Sequence, residues 1–429
     1  MTHSLGAGAA FQALFLTVDR SGAIVDENIE RARGYFAVAA RGMQPAGVRQ
    51  SNMRAVSRVV ARAPGVSNAD IARLTGLAPQ TVSAVLAALD DGGLLTRGVA
   101  RRRGGRGQPA TPIYLNAEGA FALGAEIGWE RLEVVLVDMA GRVVERLIRS
   151  YDYPDASRVF SDLGNLAPVA LSSLAASGRG RVIGLGVALP SGLGQPKALL
   201  PAAEGQVEGW ANLDVGAEAA RATGLPVQLL NDGNAACWAE FLSRPSPLPS
   251  NFAFLRIDTF LSAGLVAGGR LWDGAGASSA DLGAMLVTNE HGVPDLVEEI
   301  ASLQALKARL HAAGTTLAEA LADEPTEIAS RALDDWIEVT AFALAQTVLN
   351  AATLAEFELV VLDGALPHHV LERLVTATAD RVARIGAHRF APPQISLGNL
   401  GRAGAAQGAA MLQIYRRYFS RELADLDVE

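Results

Sequence analysis

Four arginines lie close together in one short glycine-rich segment of this chain. They are Arg101, Arg102, Arg103 and Arg106, within the segment TRGVARRRGGRGQP. A guanidinium group can bind a phosphate through two parallel hydrogen bonds, and glycines let the backbone approach a ligand closely. Flexible basic arms of this kind enter the narrow minor groove of A·T-rich DNA. The segment therefore predicts DNA contacts, with Arg106 at the tip inside a minor groove.

A second set of polar side chains lies just before the arginines. Gln80, Thr81 and Ser83 stand at the start of PQTVSAVLAAL. In a helix-turn-helix the first residues of the second helix meet base edges, and a Gln can bind adenine at two atoms. We expect these three side chains to face DNA bases. The alternative is an ordinary helical hairpin in which the hydroxyls serve as helix caps.

The elements that would position these side chains are two short helices and a hairpin. Gly76 supplies a permissive backbone for a turn between helices within residues 66–89. A further helix starts near Ser51, and residues 94–116 predict a two-stranded wing. The pattern is that of a winged helix-turn-helix. Its predicted core positions are Ile71, Ala72, Leu74, Val82, Val85, Leu86 and Leu89.

Charge divides the chain into a basic part and an acidic part. Residues 45–116 contain ten Arg, three Asp and neither Lys nor Glu, which gives a formal charge of +7. The whole chain carries −8, residues 1–44 are balanced, and residues 117–429 therefore carry −15. This asymmetry is typical of a protein in which one part meets phosphates and the rest does not.

Composition limits the class of protein further. A chain of 429 residues with 50% hydrophobic residues can form two or three domains with sizeable cores. The single cysteine, Cys237, cannot form an internal disulfide. No signal peptide pattern and no apolar run long enough to span a membrane occur in the sequence. We expect a cytoplasmic protein without a membrane partner.

The predicted layout has four parts. They are an extension of unknown role at 1–44, the winged helix-turn-helix at 45–116, a first α/β lobe at 117–250, and a second lobe with a closing helix at 251–429. Strands are predicted at 121–127, 132–137, 143–148, 182–189, 227–230, 252–257, 262–267 and 359–362, and helices near 157–176, 214–223, 295–312, 327–352 and 402–418.

The order of these elements and the residues at their junctions resemble the ROK family (repressors, open reading frames and kinases), from about Ser51 to Leu412. The segments that carry the resemblance are LGAEIGWERLEVVLVDMAGRVV, IGLGVALPSGL, EGWANLD, LPVQLLNDGNAACWAEF and AGGRLWDGAGASSADLGAMLV, with SNMRAV, GL-x-x-x-TVS and GGRGQP in the basic part. The resemblance implies an α/β, actin-like and ribonuclease-H-like, two-lobed sugar-kinase fold behind the winged helix-turn-helix.

The phosphate-binding turns depart from the family pattern. Kinase members bind ATP with an Asp-x-Gly-Gly-Thr hairpin and a Gly-Thr-Gly turn, where small residues let backbone N–H groups reach phosphate oxygens. Here Trp129 and Glu130 occupy the first hairpin, and Phe260 and Leu261 occupy the second. We expect Trp129 to block a phosphate and Glu130 to repel it. The resemblance therefore implies a body with no catalytic residues and no cofactor.

The residues that hold the sugar in this family are partly retained. Asn231 and Asp232 match the family's Asn-Asp pair, which binds sugar hydroxyls and in kinases supplies the general base. Carboxylates and amides suit this task because they accept hydroxyl hydrogen bonds. The alternative is that the pair forms a turn or caps the following helix.

Further sugar-side positions have changed. The family's Gly-Glu-x-Gly-His segment corresponds to Ala280–Ala284, so Asp281 replaces the glutamate and Ala284 replaces the histidine. Glu298 matches a further sugar-binding glutamate, although it could equally lie on a charged helix face. The family's zinc-binding cysteines are missing, and Cys237 with His291 cannot supply four zinc ligands. The resemblance thus implies no metal.

These observations predict a transcriptional regulator, most simply a repressor released by ligand. It would be a homodimer or a dimer of dimers that binds a palindromic operator in double-stranded DNA and senses a sugar or sugar derivative. Two alternatives stay open. One is a ROK sugar kinase with an appended DNA-binding domain, and the other is a DNA-binding protein whose body only dimerises or docks a partner protein.

Overall fold

A computed structural model describes residues 45–421 apart from 101–110, 198, 201, 204, 246, 274–279 and 386–390. The extension at 1–44 lies outside the described residues. So do four of the predicted DNA-binding residues, Arg101, Arg102, Arg103 and Arg106.

The N-terminal region has three helices and a small antiparallel sheet. Helix α1 spans Pro45–Arg62, α2 spans Asn68–Thr75 and α3 spans Pro79–Asp91. Strand β1 (Leu95–Arg97) pairs antiparallel with β2 (Ile113–Leu115). This is the predicted winged helix-turn-helix arrangement.

Local sequence explains the turn between α2 and α3. Ser67 caps α2, since its hydroxyl accepts a hydrogen bond from the N–H of Asp70 at 3.2 Å. Gly76 ends the helix with a φ of +71°, which glycine adopts without strain. Pro79 then starts α3 at the first helical position, where no N–H is needed.

The core of this region follows the predicted pattern with one exception. Leu74 was expected on the apolar face of α2, yet it is 52% exposed. The helix is only eight residues long, so a single buried residue on it, Ile71, suffices to hold it against α1 and α3. The predicted core positions on α3 are buried, namely Val82, Val85, Leu86 and Leu89.

The body that follows is α/β. Its strands are β3 (Phe121–Ile127), β4 (Arg131–Asp138), β5 (Val143–Ser150), β6 (Val182–Leu189), β7 (Val227–Asn231), β8 (Phe252–Ile257), β9 (Leu261–Ala267), β10 (Arg270–Leu271), β11 (Leu286–Thr288), β12 (Pro294–Leu296), β13 (Leu359–Gly364) and β14 (Gln394–Leu397). Its helices are α4 (Ala156–Ser172), α5 (Ala176–Arg179), α6 (Val215–Thr223), α7 (Asp232–Ser243), α8 (Val297–Ile300), α9 (Leu303–Ala312), α10 (Leu317–Ala320), α11 (Glu327–Ala352), α12 (His368–Ile385) and α13 (Gly404–Tyr418).

Two mixed sheets organise the body within the described residues. The first has the order β5-β4-β3-β6-β7 and the second β10-β9-β8-β13-β14. In each, the central strand pairs antiparallel on one side and parallel on the other: β3 with β4 and β6, and β8 with β9 and β13. We call the two parts built on these sheets the first half and the second half.

Helices α13 and α7 join the two halves. Helix α13 packs on β3 and β6 of the first sheet, while α7 packs on β8 and β9 of the second, and the two helices pack on each other. Glycines allow this close approach, because a Cβ on Gly408 would lie 1.8 Å from the carbonyl oxygen of Ala235. The closing helix of the chain therefore returns to the first half, and this brings the two sheets into fixed proximity.

One predicted helix is divided in the structure. Residues 295–312 were expected to form a continuous helix, but residues 294–296 form β12, paired with β11, and two helices follow. Ser302 lies at the break, fully buried, and caps α9 by accepting from the N–H of Ala305. The predicted helix was too long because pairing with β11 competes with local helical preference.

The N-terminal region is attached to the body through α1. Arg54 is buried, and its guanidinium donates to the carbonyl oxygens of Arg417 and Ser420 at 3.1 Å each. This arginine therefore serves the contact with the C-terminal helix, although it was counted among the basic residues that could meet phosphates. No helix in the described part of the chain is long and apolar enough to cross a membrane.

Candidate ligand cleft and DNA-facing helix

Residues of both halves line a cleft of about 530 Å³. This volume falls in the usual range for small-molecule sites. The structure brings together in this cleft all four residues predicted to bind a ligand, Asn231, Asp232, Asp281 and Glu298. Asn231 and Asp232 stand at the junction of β7 and α7, whereas Asp281 and Glu298 belong to the second half. Their contacts with a ligand stay a prediction.

Asn231 caps helix α7. Its Oδ1 accepts hydrogen bonds from the N–H groups of Gly233 at 2.9 Å and Asn234 at 3.2 Å. Its Nδ2 donates to Ser191 Oγ at 3.2 Å. The capping interpretation is therefore realised in the structure, and the same residue also lines the cleft. The two interpretations do not exclude each other.

Asp232 is buried beside a cation. Its Oδ1 accepts from the N–H of Gly233 at 2.8 Å, and its Oδ2 lies 3.4 Å from Nη1 of Arg256. Burial raises the pKa of Asp232 to about 6, although the charge of Arg256 acts in the opposite direction. Near neutral pH the group is thus ionised and can accept a hydrogen bond from a hydroxyl.

Arg256 is the centre of a buried ionic network. It lies on β8 with 1% exposure, and its Nη2 is 2.8 Å from both Glu126 Oε1 and Asp258 Oδ2. Burial alone lowers the pKa of Arg256, but Glu126, Asp258 and Asp232 together raise it above its ordinary value. The guanidinium thus stays charged and neutralises carboxylates from three separate elements.

Arg131, at the start of β4, extends this network between the halves. Its guanidinium lies 3.1 Å from Glu126 and 3.4 Å from both Glu133 and Asp258. Glu126 and Glu133 belong to the first sheet, whereas Asp258 follows β8 of the second. The ionic network therefore ties the two halves together at the base of the cleft.

Aromatic side chains fill the end of the cleft where the two hairpins meet. Trp129 follows β3 and is 5% exposed, and its ring lies edge-on to Phe260 with 5.3 Å between centroids. Tyr153 packs against the same indole at 6.2 Å, and Leu261 is also buried. Side chains thus occupy the space between the hairpins from both halves.

Glu130 bridges the halves at the same end. Its Oε1 lies 2.6 Å from Nζ of Lys307 and accepts from Gln304 at 3.4 Å, while its Oε2 accepts from Thr259 Oγ1 at 3.0 Å. The charge of Glu130, which is predicted to repel a phosphate, is thus compensated by Lys307 in the structure. Through these contacts Glu130 links the first hairpin to the second half.

Glu298 and Asp281 lie in different environments within the second half. Glu298 Oε1 accepts from Nζ of Lys197 at 2.9 Å, and both side chains are largely buried. Asp281 is exposed, and it follows Ala280, whose φ of +64° is uncommon for a residue with a side chain. Desolvation and the charge of Glu298 raise the pKa of Asp281.

The residues at the family's zinc position do not fit a zinc ion. The side chain of His291 is exposed and lies 3.8 Å from Glu290, which also pairs with Arg309. Cys237 is buried on α7. The described residues contain no group of three His, Cys, Asp or Glu side chains that could hold a metal.

The predicted DNA-facing residues of α3 differ in their exposure and in their hydrogen bonds. Gln80 is exposed and Thr81 is partly exposed. Ser83 is exposed as well, but its hydroxyl donates to the carbonyl of Pro79 at 3.0 Å and accepts from Asn68 at 3.1 Å. The hydrogen bonds of Ser83 within the hairpin match the alternative of ordinary packing, whereas Gln80 lies exposed at the start of α3.

Sequence reasoning missed several polar residues of the cleft, among them Arg256, Lys197 and Arg131. An arginine inside the apolar strand FAFLRI was the available signal for the first, since a buried charge requires a partner. The signal for Lys197, which lies in an irregular loop after β6, was its residue type, because the chain has only two lysines.

Solved structures share this fold. A ROK family transcriptional regulator described as a homologue of E. coli MLC matches with a TM-score of 0.62 and 20% identity, over 86% of this chain and 97% of its own. A ROK family glucokinase from Streptomyces griseus, in complex with glucose and AMPPNP, matches with a TM-score of 0.55 and 19% identity, over 68% of this chain and 99% of its own. These likenesses support the two-lobed fold, and the regulator covers more of the chain than the kinase.

Sequence relatives include regulators and a kinase. The uncharacterized protein y4fQ of Sinorhizobium fredii is 28% identical over 387 residues, which is 87% of this chain and 93% of the relative. The xylose repressor of Bacillus subtilis is 20% identical over 56% of this chain and 61% of its own length. N-acetylmannosamine kinase of Vibrio cholerae is 29% identical over 37% of this chain and 58% of its own.

The family assignment rests on the body. The model of the ROK family matches residues 122–416, more than half of the chain. That range begins in β3 and ends in α13, so it contains both sheets, the joining helices and the whole cleft. The chain belongs to the ROK family.

Proposed function

We propose that this protein is a transcriptional repressor that binds a palindromic operator as a homodimer or dimer of dimers and is released by a sugar bound in the cleft. The body does not transfer phosphate in this proposal. The main support is that one chain combines a helix-turn-helix with a cleft in which large side chains fill the end where the two hairpins meet.

The filled hairpin end argues against kinase activity. Backbone N–H groups must approach phosphate oxygens closely, and this requires small residues in the turns. Trp129 and Phe260 instead pack edge to face at 5.3 Å, and Glu130 is held by Lys307 at 2.6 Å. Entry of a triphosphate would have to break both contacts. A kinase with a DNA-binding domain is the competing function, and relatives of both kinds exist.

The exposed start of α3 supports the DNA-binding part. Gln80 and Thr81 lie in the first turn of the second helix, the part that meets base edges in a helix-turn-helix. A sugar that favours one arrangement of the two halves over another would release the operator DNA. The change would reach the DNA-binding region because α1 is bound to the C-terminal helix through Arg54. A shift at that contact would change the spacing of the two DNA-binding regions in a dimer.

A gel-shift titration with the operator tests the DNA-facing residues. We expect Arg106→Ala to weaken binding to all sequences. Gln80→Ala should relax preference at one base position by about 1–3 kcal/mol, the usual effect of losing a two-point base contact. Arg142→Ala, a surface change on the body, is the control. Unchanged affinity and preference in both test variants would show that the DNA-facing surface is assigned wrongly.

A second experiment tests the cleft. Asp232→Asn keeps the shape of the side chain but removes its charge and one acceptor oxygen, so operator binding should persist while the ligand response weakens by about tenfold or more. Sugar-dependent ATP turnover by the purified protein above a no-enzyme control would instead favour the kinase. If Asp232→Asn responds at the wild-type ligand concentration, Asn231 and Asp232 serve only as a helix cap.

A further inference from the structure

Lysine is rare in this chain, and one of its two lysines, Lys197, lines the cleft. Two of the 37 basic residues are lysines, Lys197 and Lys307, and the others are arginines. Each lysine forms an ion pair between the two halves: Lys197 with Glu298 at 2.9 Å and Lys307 with Glu130 at 2.6 Å. An ammonium is a compact point charge, whereas a guanidinium is a planar fork. One of the two ammonium side chains of the chain, that of Lys197, therefore lines the cleft beside the guanidinium groups of Arg131 and Arg256.

The ammonium of Lys197 is enclosed by aromatic rings and a carboxylate. Its Nζ lies 5.0 Å from the ring centroid of Phe260 and 6.0 Å from that of Trp129. Glu298 Oε1 accepts its hydrogen bond. Aromatic faces attract a Lys ammonium or a ligand cation within about 6 Å of the ring centroid, and cages of such rings recognise quaternary ammonium ligands. We call Trp129, Phe260 and Glu298 the ammonium cage.

Negative charge surrounds the cage on the second half. Asp281 and Glu299 line the same cleft as Glu298. Burial and the charge of Glu298 raise the pKa of both groups, and the charge of Lys197 lowers it. A neutral or anionic ligand that displaced Lys197 would leave three carboxylates without this cation. A ligand with its own ammonium would replace the charge that it removes.

We propose that the cleft binds a hexose that carries a primary ammonium group, and that Lys197 is an internal occupant of the ammonium cage which this ligand displaces. The proposal rests on the proposed function, because it takes the cleft as the ligand site. The ammonium group of the hexose enters the ammonium cage, and the hydroxyl groups of the hexose face Asn231 and Asp232. Displacement breaks the Lys197–Glu298 pair and so releases the loop after β6 from α8 in the opposite half.

Thermal unfolding with matched sugar pairs tests the ligand class. D-glucosamine, D-galactosamine and D-mannosamine hydrochlorides are each compared with the parent hexose at equal chloride concentration. We expect at least one amino sugar, and none of the neutral sugars, to raise the Tm of the wild-type protein. In Lys197→Ala the same shift should need about tenfold less amino sugar, because the tethered competitor is gone. Lys307→Ala, the matched control, should respond like the wild type.

NMR of the reductively ¹³C-methylated protein observes the displacement directly. Only Lys197, Lys307 and the N-terminal amine carry the label, so the spectrum is simple, and Lys197→Ala assigns one signal. The ring of Phe260 should hold the Lys197 methyl signal upfield. Amino sugar should move it toward the free-lysine position, whereas the Lys307 signal should stay in place. Glu298→Gln should abolish amino sugar binding.

The outcomes separate this proposal from the proposed function. The cage is wrong if neutral hexoses stabilise as strongly as amino hexoses, if no hexose stabilises either the wild type or Lys197→Ala, or if Lys197→Ala gains nothing. A neutral hexose that releases operator DNA would keep the sensing function and refute the cage. Amino sugar binding with unchanged operator affinity would keep the cage and refute the sensing function.

Discussion

The two ends of the cleft differ in what their side chains do. At the polar end, amide and carboxylate groups line the cleft, those of Asn231, Asp232, Asp281 and Glu298. At the packed end, where the two hairpins meet, the side chains are those of Trp129, Glu130, Phe260 and Leu261. Trp129 and Phe260 contact each other directly. The same fold thus lines one end with polar groups and packs large side chains together at the other, and Lys197 lies where the two ends meet.

The packed end depends on a small number of side chains in two turns. Two contacts join the halves there, an edge-to-face ring pair and an ion pair. The polar end keeps its backbone geometry, since Asn231 caps α7 regardless of any ligand. The large side chains in the two turns support the proposed loss of phosphate binding, and the sheets that carry both ends stay intact.

The largest expected effect concerns Arg256, which connects both ends. Arg256→Met leaves Glu126, Asp232 and Asp258 buried around a neutral side chain. Loss of one partner from a buried ion pair costs about 3–5 kcal/mol, and we expect a decrease of this size in the free energy of unfolding by urea. Arg142→Met removes an exposed guanidinium and should change stability by less than about 1 kcal/mol. Equal effects of the two changes would show that the network contributes nothing specific.

The next effect concerns the packed end alone. Trp129→Ala removes an indole that packs on Phe260 and Tyr153, and we expect a loss of about 3–4 kcal/mol in the free energy of unfolding. Phe260 and Leu261 still fill the second hairpin, so the variant should not bind ATP in a titration followed by calorimetry. ATP binding by this single variant would mean that one ring closes the packed end.

The pH dependence of stability tests the polar end. The pKa of Asp232 is about 6 in the folded protein and near 3.8 in the unfolded chain. The folded state therefore holds the proton more tightly, so this group's contribution to stability is present below pH 4 and is lost as the pH rises through 6. The wild-type free energy of unfolding minus that of Asp232→Asn should fall by about 2–3 kcal/mol over this interval. A flat difference would place Asp232 in a water-accessible site.

The smallest effect is expected from the ion pair at the packed end. Lys307 and Glu130 are each about one third exposed, so solvent screens their attraction. Lys307→Ala should therefore lower the free energy of unfolding by only about 0.2–1 kcal/mol. A loss of several kcal/mol in chemical denaturation would mean that this pair, rather than the aromatic contact, closes the packed end.

Much of the fold follows from local sequence. Strands β6 and β8 have the predicted bounds because each is an apolar run bordered by turn or polar residues, and helix α11 has them because its apolar residues recur at helical spacing. Helix starts and turns such as Ser67, Gly76 and Pro79 likewise follow from side-chain capping and backbone freedom. The residues brought to the polar end were also identified from the sequence, through their family motif and their place at element junctions.

Contacts between distant residues were decided by the tertiary structure alone. Lys197 meets Glu298 across 101 positions, Arg131 meets Asp258 across 127, and Lys307 meets Glu130 across 177. No local pattern encodes such pairs, because attraction between charges depends on their distance in space and on the surrounding dielectric. The sequence therefore determined which elements form and which end of the cleft departs from the family. Only the packing of the two sheets through α7 and α13 decided which charges face each other across it.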